Sequence, residues 1–136
     1  SREEAVAGKR AFKAFDAAGK HLGWVVPAAG QGFADRIELL VGLDAPLERI
    51  TGIYVLDQKE TPGLGDFITS QEKFRSWFEG QPATAPLEVV KARPAPGQGR
   101  ILALTGATIS SMSVAEIVNR AVRTFKADLQ AQGGGE

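Results

Sequence analysis

Arg36-Ile37-Glu38-Leu39-Leu40-Val41-Gly42-Leu43 is followed, after the turn signal Asp44-Ala45-Pro46, by Ile50-Thr51-Gly52-Ile53-Tyr54-Val55-Leu56. Both runs are short and rich in β-branched and large apolar residues, so they read as neighbouring strands. Aspartate and proline between them favour a turn. Toward the N-terminus, Leu22 to Val26 and Arg10 to Asp16 read as two further strands, joined at Ala17-Ala18-Gly19-Lys20. Pro27 and the glycine-containing Ala28 to Gly32 predict a break after Val26. Sequential strands joined by short turns imply an antiparallel meander, because parallel neighbours need a dozen or more connecting residues. Residues 2–8 read as a short helix, or as the end of a longer one cut within residues 1–9.

Beyond the strands, Ser70 to Glu79 predicts a short helix: Ser70 is placed to cap it, Phe74, Trp77 and Phe78 share a face, and Gly80 ends it. Leu87 to Ala92 and Ile101 to Leu104 read as strands around the loop Pro94 to Gly99. Val114, Ile117, Val118, Ala121, Val122, Phe125 and Leu129 form one apolar stripe at helical spacing. That last helix starts between Ile109 and Val114. The capping box Ser113-Val114-Ala115-Glu116 favours Ser113 over Thr108, and the two starts remain open at this level. Residues 131–136 read as a flexible tail. The expected fold is a single α+β domain over residues 1–136: a twisted antiparallel sheet, a packed C-terminal helix and one smaller helix.

Composition narrows the function. Sixteen basic residues balance sixteen acidic ones, and no Lys/Arg run is interleaved with aromatics, which argues against nucleic acid. The chain has no cysteine, so disulfides, thiolate metal sites and cysteine-ligated clusters are excluded. One histidine, His21, cannot build a multi-histidine metal site. No metal ligands and no catalytic acid–base pair are assigned. No apolar run approaches the length of a membrane span.

Two segments carry chemistry. In Lys59-Glu60-Thr61-Pro62-Gly63-Leu64-Gly65, Pro62-Gly63 favours a type II turn, Thr61 is pushed toward extended backbone, and Gly65 removes a side chain. Such a loop lets a flat ligand approach the backbone with Leu64 as an apolar platform, although a plain turn has the same signature. The second segment is Leu104-Thr105-Gly106-Ala107-Thr108-Ile109-Ser110-Ser111. It puts hydroxyls and a glycine before a helix whose start suits a phosphate. Helix capping by the nearest hydroxyl is the simpler use of that segment. Gly30-Gln31-Gly32-Phe33-Ala34-Asp35 is only a partial dinucleotide fingerprint and precedes a strand.

Taken in order, these segments resemble the FMN-binding domain family, which includes the RnfG and NqrC subunits of ion-pumping redox complexes, with RnfG the closer. The resemblance rests on the meander Leu39 to Asp44 and Ile50 to Leu56, then Glu60 to Gly65 as ETPGLG, then Thr105 to Ser110 as the [ST]GAT motif ahead of a helix. It implies FMN joined through its phosphate to Thr108 as a phosphoester, with noncovalent FMN as the alternative. Thr105, Gly106 and Ala107 would form the recognition turn, Ile109, Ser110 and Ser111 would lie near the phosphate, and Glu60, Thr61, Pro62, Gly63, Leu64 and Gly65 would lie beside the isoalloxazine. It further implies a flavin transferase during maturation, other redox subunits of a membrane complex as partners, and an extracytoplasmic (periplasmic), membrane-associated location. Where the family often has aspartate six positions before the acceptor threonine, this chain has Leu102. The implied function is electron carriage. A flavin-dependent reductase and a noncatalytic FMN-binding sensor or accessory module are the alternatives.

Overall fold

A computed structural model describes residues 2–6 and 9–132. Five strands form one antiparallel sheet in chain order: β1 (Arg2–Val6), β2 (Lys9–Phe15), β3 (His21–Gln31), β4 (Arg36–Asp44) and β5 (Ile50–Asp57). The hairpin read from residues 36–56 is present, with Leu40 opposite Tyr54 and Gly42 opposite Gly52. Three local expectations change. Residues 2–6 are not helical: they pair with β2 from Arg2↔Lys13 to Val6↔Lys9, where the free strand edge outweighs a weak helical preference. Ser1, Ala7 and Gly8 of that expected helix lie outside the described residues. The break at Pro27 does not occur, since β3 continues to the pair Gln31↔Arg36. The β2–β3 pairing ends at Phe12↔Val25, so Pro27 lies where β3 has a neighbour on one side only, a position that tolerates a missing N–H.

The stretch 70–79 supplies the smaller helix as turns rather than as α-helix. Short 3-10 helices occupy Gly65–Thr69 and Arg75–Phe78. Ser70 still caps, its Oγ accepting the Lys73 N–H at 3.0 Å. The Arg75 guanidinium donates to the Thr69 carbonyl at 3.0 Å and the Ile53 carbonyl at 2.9 Å, which ties these turns to β5. Phe74 and Phe78 meet edge to face at 5.4 Å and are fully buried. β6 (Glu88–Val90) and β7 (Arg100–Leu102) then form a separate parallel pair, an exception to the antiparallel pattern. Gln81 anchors this corner from inside: its amide donates to the Trp77 and Arg100 carbonyls and accepts the Gly99 N–H.

One helix, α1 (Thr108–Ala131), covers one face of the sheet. On β4, Ile37, Leu39, Val41 and Leu43 alternate inward with at most 1% exposure. They meet Val114, Ile117, Val118, Val122, Phe125 and Leu129 of α1 within one core. Trp24 of β3 packs its ring 5.0 Å from Phe125. Full burial of such side chains contributes about 1.5–3 kcal/mol each, far above differences in local propensity, so this contact sets the fold. Tyr54 and Leu56 point to the opposite, open face and are exposed. The expected tail begins after α1: Ala131 is its last residue, Gln132 is a turn, and Gly133 to Glu136 lie outside the described residues.

Candidate cofactor site

The two motifs meet at the start of α1. The helix begins at Thr108, not at the Ser113 capping box, which lies within its second turn. Burial decides this. Ser110 and Ser111, at 3% and 0% exposure, belong to the core side of the first turn. Ser111 Oγ donates to the Ala107 carbonyl at 2.9 Å and accepts the Leu104 N–H at 3.0 Å, which fastens the chain entering the helix to its first turn.

The Ser110 hydroxyl donates to Glu60 Oε1 at 2.6 Å, joining the helix start to the Glu60–Gly65 loop. The same carboxylate accepts the N–H groups of Phe33 at 2.9 Å, Ala34 at 3.0 Å and Asp35 at 3.4 Å. Glu60 is buried, at 4% exposure. Burial pushes its carboxyl up, but the hydrogen bonds from Ser110 and from the 33–35 backbone outweigh it. The net effect is a pKa below the ordinary 4.5. One carboxylate thus clamps the partial glycine motif, the ETPGLG loop and the acceptor helix. Glu60 is buried beneath the loop and supports it through Ser110 and the 33–35 backbone.

The loop itself has the geometry read from its residues. Leu64 N–H donates to the Thr61 carbonyl at 3.0 Å and Gly63 has φ +77°, a type II turn. Gly65 makes the close approach possible, because a Cβ there would stand 2.6 Å from Ser110 Oγ and 2.9 Å from Glu60 Cβ. Gly106 has φ +76° and a Cβ on it would stand 3.0 Å from Leu64 Cδ2, so the exposed Leu64 side chain lies across the Thr105–Ala107 turn.

Alongside this junction runs an open groove of about 530 Å³. Gly63, Phe67, Trp77, Arg93 and the run Leu102 to Thr105 are among the residues that line it. Leu102 adds an apolar side chain to that lining. Lys73 Nζ lies 5.0 Å over the Phe67 ring and Arg93 Cζ lies 5.4 Å over the Trp77 ring. Phe67, Lys73, Trp77 and Arg93 form no sequence motif. They are brought together by the turn region and the β6–β7 connection, so no local signal marks them.

The donor set fits a flavin mononucleotide. Ala107 at the cap position leaves the α1 start without a side-chain cap, which suits a phosphate. Among the described residues, no hydrogen bond engages the Thr105 or Thr108 hydroxyl, whereas those of Ser110 and Ser111 are held by protein partners. Asp66 Oδ1, immediately after the loop, is buried without a partner, an acceptor open to a hydroxyl donor such as a ribityl group. Thr61, Pro62, Gly63 and Leu64 are exposed above the groove region, and Ile109 is exposed on the helix start.

Comparison with known proteins agrees with this geometry. The model of the FMN-binding domain family matches residues 32–123, more than half of the chain. The chain is 36% identical over 111 residues to the G component of the ion-translocating oxidoreductase complex of Methanosarcina acetivorans, covering 82% of this chain and 55% of that one. It is 38% identical over 117 residues to the G component of the proton-translocating ferredoxin:NAD(+) oxidoreductase complex of Clostridium ljungdahlii, covering 86% and 60%. The chain thus spans little more than half the length of these relatives. The crystal structure of NqrC from Shewanella oneidensis superposes with a TM-score of 0.81 at 27% identity, covering 94% of this chain and 67% of that one.

Proposed function

This chain belongs to the FMN-binding domain family, with FMN as its cofactor, and we propose that it is the flavin-carrying electron-transfer domain of an ion-translocating membrane oxidoreductase complex, with FMN esterified to Thr108. The observation that carries this reading is the unengaged Thr108 hydroxyl at an uncapped helix start, held against the ETPGLG loop by the Glu60–Ser110 hydrogen bond. FMN accepts electrons in pairs and releases them singly, which joins two-electron donors to one-electron carriers. The N–H groups at the α1 start stabilise the phosphate charge, and Gly106 lets the chain turn without a side chain in the way. Leu64 on the loop and Leu102 to Leu104 in the groove lining offer the ring apolar contact.

The maturation step belongs to the same proposal. A flavin transferase moves the FMN phosphoryl group from FAD to Thr108 Oγ: the Oγ–P bond forms, the pyrophosphate P–O bond breaks, AMP leaves, and the hydroxyl proton is released. Thr105, Gly106 and Ala107 present the acceptor, and Thr105 is exposed for that purpose. The partners are the other redox subunits of the complex. The domain works on the extracytoplasmic side of the membrane. No helix among the described residues is long and apolar enough to cross a membrane.

The test is intact mass under denaturing conditions after coexpression with a flavin transferase. The expected result is a gain of one FMN less one water on the Thr108 peptide. Thr108→Ala abolishes this gain and leaves stability within about 0.5 kcal/mol, since the half-buried side chain makes no hydrogen bond. Covalent flavin on the Thr108→Ala protein would overturn the assignment.

A further inference from the structure

We propose that Lys73 and Arg93 set the reduction potential of the flavin by holding positive charge on the walls of its groove. The inference rests on the flavin lying in that groove. Lys73 and Arg93 both line it, with Glu72 as the one carboxylate among the lining residues, so the lining carries a net charge of +1. Neither cation is left to wander. Lys73 lies over Phe67 and Arg93 over Trp77, and both rings belong to the groove wall. Ring stacking of this kind orders a long side chain without neutralising it. No carboxylate among the described residues forms an ion pair with either cation: the ion pairs found join Arg36 to Glu38, Lys59 to Asp57, Arg100 to Glu88 and Arg120 to Glu116.

Ordered positive charge that exceeds the groove's one carboxylate acts on whatever charge develops there. Two-electron reduction of the flavin, with one proton taken up at the ring, leaves one added negative charge on the ring system. A fixed cation nearby favours that charged state over the oxidised one, which raises the potential. Both cations face solvent, so the effective dielectric is well above that of an interior, and the expected effect of each is modest. About tenfold in the reduction equilibrium per cation corresponds to about 30 mV for a two-electron couple.

The experiment is redox titration of the FMN-loaded chain against dyes of known potential, for wild type, Lys73→Gln, Arg93→Gln and Arg93→Lys. Loading and melting temperature are checked for each. Expected, read per flavin bound, is a potential lowered about tenfold in equilibrium for each glutamine variant, and near wild type for Arg93→Lys, which keeps the charge. Added salt is expected to shrink the difference. Flavin quenching of Trp77 emission, taken as wild type minus Trp77→Phe, reports whether the groove is occupied. Quenching with potentials unchanged in both glutamine variants would overturn this inference alone. Absence of quenching would place the flavin elsewhere, and the reading of the groove would fail with it.

Discussion

Replacing Glu60 by alanine is expected to destabilise the domain by about 2–4 kcal/mol at pH 7. Its carboxylate accepts four hydrogen bonds, three from the backbone of residues 33–35 and one from Ser110. Bonds to a charged acceptor contribute about 1.5–3 kcal/mol each, so a naive sum would approach the whole stability of a domain. The sum overshoots because Phe33, Ala34 and Asp35 are exposed, and water replaces the carboxylate on their N–H groups. What water does not restore is the bond to Ser110, itself 3% exposed, and the packing of the Glu60 stem under Gly65. For a chain of this size that loss lowers the melting temperature by about 3–4 °C per kcal/mol. The assay is urea unfolding followed by tryptophan emission, in a double-mutant cycle with Ser110→Ala. A coupling of about 1 kcal/mol or more is expected between the two sites. The pH dependence gives an independent check. Because the folded pKa lies below 4.5, the carboxylate's contribution is complete above that value and is lost as pH falls through the lower folded value. Wild type should therefore lose stability below about pH 4.5 more steeply than Glu60→Ala. A Glu60→Ala cost under about 0.5 kcal/mol, or equal acid slopes, would refute the clamp.

Gly65→Ala drives a methyl group to within 2.6 Å of Ser110 Oγ, so the loop must lift from the helix; a loss of about 1–3 kcal/mol in urea unfolding is expected, with a fall in flavin loading. Gln81→Ala removes a fully buried amide and leaves two carbonyls and one N–H without their partner, and should cost about 3 kcal/mol by the same assay, without touching the flavin junction. Leu64→Asp places a charge across the Thr105–Ala107 turn and should shift the flavin absorption spectrum while the fold persists; an unaltered spectrum would remove Leu64 from the site.

The parts of the fold readable from the chain are those whose side chains alternate or repeat toward one face. Ile37 to Leu43 and the stripe from Val114 to Leu129 meet each other in the core, so their patterns record a real contact. The type II turn at Pro62-Gly63 is equally local. The failures share a cause: each depends on what lies beside the segment. Pro27 signals a break only if both strand edges are in use, and β2 has already turned away. Residues 2–6 join the sheet because β2 offers an edge. Phe74, Trp77 and Phe78 have helical spacing, yet the turns are anchored by Arg75 reaching back to Ile53. The Ser113 capping box competes with a helix start sealed from inside by Ser111. For the site, the order of the two motifs carried the cofactor, but the division of labour among the hydroxyls did not show. Only burial separates Ser110 and Ser111, which brace the structure, from Thr105, which is exposed, and Thr108, which is half-buried.

The clamp at Glu60 also bears on where this molecule accepts an anion from outside. Three consecutive N–H groups at residues 33–35 converge on one point, a backbone arrangement that would receive a phosphate as readily as a carboxylate. The protein stoppers that receptor with its own side chain. Those three donors are thereby occupied, whereas the N–H groups at the head of the C-terminal helix have no side-chain cap. The side chain that braces that helix head is the one that fills the 33–35 donors.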